Sequence, residues 1–110
     1  MAVPVLWRQA MKLADFYREM ARGQRDPVKK SILRLASTVL EDLSDELTYG
    51  YVRSVTKRKL LYVKELLESS HLPHYSLDKL IERVGSRYSI ATHVEEASSS
   101  RAYEYLLGLA

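Results

Sequence analysis

Five groups of residues have types and spacings that could do chemistry. In "YVRSVTKRKLLYVK", residues 51–64, helical spacing puts Arg53, Lys57 and Lys64 on one face with Arg58 at its edge, and Tyr51 and Tyr62 lie in the same stretch. Such a stripe can neutralise phosphates through contacts that carry no sequence information. In "SIATHVEEASSSRAYEYL", three serines separate two helix-like runs, and Ser100, Arg101, Tyr103 and Glu104 fall near the start of the second. Arg101 is the one side chain there able to hold a guanine through two hydrogen bonds. Arg87 and His93 have five residues between them, and they offer a fixed positive charge and a side chain that can act as a general base. His71 and His74 straddle Pro73 and so do not share a regular helical face. No carboxylate cluster accompanies them in sequence, and no metal site is expected there. Asp42, Asp45 and Glu46 form an acidic patch, read as a solvated face or a partner site.

Other chemistry is excluded by composition. The chain has no cysteine, which removes disulfides, thiolate metal sites and a cysteine nucleophile. It has no phosphate-binding glycine loop and no nucleophile motif. The expectation is a non-enzymatic protein without a cofactor. The opening residues lack a basic start, and Arg8 and Lys12 interrupt their apolar run. The longest uncharged apolar run is far below the roughly 20 residues needed to span a bilayer. A soluble cytoplasmic protein is expected. The net charge is +3, a mild bias towards anionic partners. Basic residues exceed acidic ones by four in residues 1–30 and by three in residues 51–70, while residues 31–50 and 71–110 carry net −3 and −1. The cationic charge thus lies away from the serine turn.

The elements that must position these groups read as helices. Val5, Leu6, Ala10, Leu13, Phe16, Tyr17 and Met20 recur at gaps of three and four. Gly23 stops that helix, and Asp26-Pro27 caps the next with proline at its first position. Val28, Ile32, Leu35, Val39, Leu43 and Leu47 then mark a second face. Gly50 leaves two options for residues 28–69, a kink or one unbroken helix. A single helix of about 40 residues would reach roughly 60 Å, too long for a compact monomer of this length. "SSHLPHYS" is the boundary between residues 1–70 and 71–110. After it, Ser76 caps a short helix with Leu77, Leu80, Ile81 and Val84 inward, stopped by Gly85. Residues 86–97 fit either a strand or a helix. Helix is preferred because no second strand exists for pairing.

Residues 76–110 resemble the helix-turn-helix family. Ala91 is the small residue at the helix crossing, Ser98 to Ser100 make the turn and N-cap, and Ala102, Leu106 and Leu109 face inward. That resemblance implies DNA-facing roles for Ser99, Ser100, Arg101, Tyr103 and Tyr105. A second resemblance covers residues 15–63. "DFYREM" followed by "VLEDLSDELTYGYVRSVTKRKLLYV" looks like the helical domain of archaeal GINS replication proteins. It implies a scaffold that binds protein partners in DNA replication. The Arg87–His93 pair resembles the signature of HEPN-type ribonucleases, which are small and helical.

The combined expectation is an all-α protein. Residues 1–70 form a long helical hairpin or bundle that dimerises through Val28, Ile32, Leu35, Val39, Leu43 and Leu47. Residues 71–110 form a small trihelical helix-turn-helix unit. The expected function is that of a small dimeric transcriptional regulator. Its homodimer would bind double-stranded DNA through the serine turn and through Arg53, Lys57, Arg58 and Lys64.

Overall fold

The computed structural model describes residues 5–88. They form four α-helices, α1 (Leu6–Gly23), α2 (Pro27–Thr48), α3 (Ser54–Ser69) and α4 (Tyr75–Tyr88). There is no strand among the described residues. The expected turn and second helix of the serine segment lie outside them, as do Ser99, Ser100, Arg101, Tyr103, Tyr105 and His93.

The α1–α2 hairpin is the heart of the molecule. Leu6, Ala10, Leu13, Ala14, Tyr17 and Ala21 are buried at helical spacing along α1. Three of these are alanines, and Ala36 of α2, which packs on α1, is fully buried as well. Phe16 was expected inward but is 46% exposed. It sits about 100° around the helix from Tyr17, which takes the inward position instead. A connection of three residues then reverses the chain. Asp26 caps α2 as expected, its carboxylate accepting from the Val28 and Lys29 N–H groups at 2.9 and 3.3 Å. At the far end, the Ser44 hydroxyl donates to the Trp7 carbonyl at 2.9 Å and ties α2 back to the start of α1. Arg18 bridges Asp15 on its own helix and Glu41 on α2.

α2 is buried over a wide stripe because both α1 and α3 pack on it. Leu33, Leu40 and Leu43 are fully enclosed. This changes the meaning of the face expected to dimerise. Ile32, Val39, Leu43 and Leu47 are buried in the subunit's own core, and only Val28 and Leu35 of that set are exposed.

The helix breaks at Gly50. Its φ of +85° is a left-handed conformation that glycine adopts without steric cost. The Gly50 N–H donates to the Leu47 carbonyl at 3.0 Å and the Tyr51 N–H to the Glu46 carbonyl at 3.2 Å. This is the Schellman pattern that closes a helix C-terminus. Glu46 then starts the next helix. It is buried, not part of a solvated acidic patch as expected. Its carboxylate accepts from the Arg53 N–H at 2.8 Å, from Arg53 Nε at 2.9 Å and from the Thr56 hydroxyl at 2.6 Å. Three donors on α3 and its cap offset the desolvation of one carboxylate.

The α3–α4 connection repeats the closing pattern with a histidine. His71 has φ +58°, its N–H donates to the Glu68 carbonyl at 3.1 Å, and the Leu72 N–H donates to the Leu67 carbonyl at 2.9 Å. α4 starts at Tyr75, one residue before the expected Ser76 cap. It also continues through Gly85 to Tyr88. Leu77, Leu80 and Val84 are buried, and Ile81 and Tyr88 pack against the core. The apolar stripe therefore extends past the glycine, and its packing outweighs the roughly 1 kcal/mol helix penalty of glycine. One hydrophobic core includes residues from Leu6 to Val84, so the expected boundary at residue 70 does not divide it.

Candidate nucleic-acid interface

The cations of α3 are built into the fold. Arg53 precedes the helix and gives its Nε and backbone N–H to Glu46. That hydrogen bond, and then the carboxylate's charge, hold the guanidinium pKa above its ordinary value. The Lys57 ammonium donates to the Tyr88 carbonyl at 3.3 Å, and burial lowers its pKa. Lys57, Arg58 and Lys64 are all half-buried. The stripe read from sequence is therefore partly structural: Arg53 joins α2 to α3, and Lys57 joins α3 to the end of α4.

A second set of cations, which sequence reasoning missed, gathers between α1 and α4. Lys79, Arg83 and Arg87 are exposed and recur every four residues along α4, and Arg8 and Lys12 do the same on α1. The two helices pack together and leave an open cleft of about 400 Å³ lined by Lys12, Lys79 and Arg83. Gln9, Phe16 and Tyr75 also line it, and no carboxylate does among the described residues. Arg83 donates to Gln9 Oε1 at 2.9 Å, which fixes the guanidinium without neutralising it. The Lys79 ammonium lies 5.4 Å from the Tyr75 ring centroid. Phe16 is exposed but held, its ring meeting Tyr17 edge to face with centroids 5.3 Å apart. A neighbouring cleft is lined by Arg83 and Arg87 and also by Glu82.

This arrangement can bind an anionic polymer. Three cations around one concave site focus positive potential more than the same charges spread over a convex face. Two exposed aromatic rings add surfaces that can pack against sugars or bases. The sequence signal was present in the spacing of Lys79, Arg83 and Arg87. A net charge summed over residues 71–110 concealed it, because the five acidic residues of the segment, Asp78 and Glu82 on α4 itself among them, cancelled it.

His74 is the other chemical focus. Its Nδ1 faces both Asp78 and Glu68, so carboxylates do accompany it in space although none does in the local motif. His71 stands apart from that group as the left-handed residue closing α3.

Comparison with protein-family models, with curated proteins and with solved structures finds no match.

Proposed function

We propose that this is a non-enzymatic DNA-binding protein that holds the phosphate backbone in the α1–α4 cleft. The carrying observation is that Lys12, Lys79 and Arg83 line one cleft with no carboxylate among the described residues that line it. Contacts of this kind set affinity and position on the duplex. In the helix-turn-helix reading of residues 76–110, α4 is the supporting helix and Arg101 the base-reading side chain. The cations of α4 then supply the charge that the serine segment lacks. A regulatory role in transcription follows from that reading, with base recognition in the second helix of the motif and backbone contacts in α4 and α1.

Amide chemical-shift mapping with a random-sequence duplex tests the proposal. The expected perturbations cluster around Lys12, Phe16, Lys79 and Arg83. Perturbations confined to α3, or none at low salt, would contradict it.

A further inference from the structure

The turn between α3 and α4 brings together three donors of mixed chemistry. Glu68 comes from the last turn of α3, His74 from the connection and Asp78 from the first turn of α4. His74 Nδ1 lies 2.9 Å from Asp78 Oδ2 and 3.9 Å from Glu68 Oε2, and the three donor atoms all fall within 4.8 Å of one another. Ligands about 2.0–2.1 Å from a metal stand about 2.9 Å apart along an octahedral edge and about 3.4 Å apart in a tetrahedron. The His74–Asp78 spacing already matches. Glu68, with a side chain 46% exposed, needs a shift of about 1 Å to reach the same ion.

A second observation points the same way. Asp78 Oδ1 is buried, and no hydrogen-bond donor among the described residues meets it. The nearby Tyr17 hydroxyl donates to the Pro73 carbonyl at 2.6 Å instead. A buried carboxylate oxygen without a donor is costly, and a cation that Asp78 holds through both oxygens, Oδ1 as well as the Oδ2 that faces His74, satisfies it.

We infer that Glu68, His74 and Asp78 bind one divalent transition-metal ion of the Zn2+ class. One imidazole and two carboxylates form a set of borderline and hard donors. The imidazole favours Zn2+, Fe2+ or Ni2+ over the all-oxygen preference of Ca2+, and the chain has no cysteine to favour softer ions. The ion would staple the end of α3 to the start of α4. This site is separate from the cleft cations and does not depend on DNA binding.

Calorimetric titration of the full chain with ZnCl2, alongside thermal unfolding with and without Zn2+, tests the inference. The expected result is one ion per chain and an upward shift in Tm. Affinity should fall by more than about tenfold in His74→Gln and in Glu68→Gln, since even outer partners of metal ligands typically matter that much. Glu68 is half-exposed and outside the core, so its variant keeps the fold and remains informative if His74→Gln is destabilised. Absence of binding by the wild type overturns the inference. So does undiminished affinity in Glu68→Gln, which would remove Glu68 from the ligand set and with it the three-residue site.

Discussion

At the residue scale, the polar groups that matter most are those buried with a defined partner. Tyr17 shows the physics. Its ring belongs to the core, and its hydroxyl reaches across to Pro73 at 2.6 Å, pinning the start of α4 to α1. Burial, and secondly the charge of Asp78, raise its pKa from 10.0 to about 12. The folded state therefore holds the phenol proton more tightly than the unfolded chain does. The stability linked to that proton is full below pH 10 and is lost as pH rises towards 12. Tyr17→Phe should cost about 1 kcal/mol at neutral pH through the lost hydrogen bond. The gap between variant and wild type should then narrow above pH 10, because the variant has no phenol to ionise. Denaturant unfolding at neutral and alkaline pH measures both effects.

At the element scale, specific devices set where several of the helices begin and end. Asp26-Pro27 was legible in sequence, since a capping carboxylate followed by proline has only a few uses. The Gly50 break was one of two readings that the sequence left open. What decided it was Glu46, whose three hydrogen bonds connect α2 to α3 over a distance of 7 to 10 residues. A lone glutamate in an acidic run carries no local mark of such a role. Gly85 misled in the opposite direction, because Val84 and Tyr88 continue the apolar stripe on either side of it. His71 occupies the position where a helix end favours glycine, at φ +58°. His71→Gly should therefore stabilise the protein by roughly 0.5–1 kcal/mol. Comparison of the two midpoints in urea, with equal slopes, checks it. A loss of stability would mean that the histidine side chain makes a compensating contact.

At the scale of the whole molecule, the question is what the apolar surface of α2 is for. The stripe of residues 32, 39, 43 and 47 looked like a dimer seam because a long exposed helix would need a partner. Within the fold, α1 supplies that partner, and α3 and α4 complete the core. Leu43→Ala should then act as a core truncation costing about 3 kcal/mol or more. Its unfolding midpoint should not depend on protein concentration in the way that loss of a dimer seam requires. The cationic cleft emerges at this same scale. Lys12 is 67 positions away from Lys79 in the chain, and only the docking of α4 on α1 makes them neighbours. A reading of charge by segment could not show it, although the four-residue repeat on α4 was visible.

The most direct test of DNA binding through that cleft is fluorescence anisotropy on a random-sequence duplex over a range of salt concentrations. Wild type is compared with Lys79→Ala/Arg83→Ala and with the α3 variant Lys64→Ala. The cleft variant should bind more weakly at every salt concentration. The slope of log K against log salt should flatten by roughly 2, about 1 for each lost phosphate contact. Lys64→Ala should change both quantities less. Unchanged affinity and slope in the cleft variant would contradict the assignment.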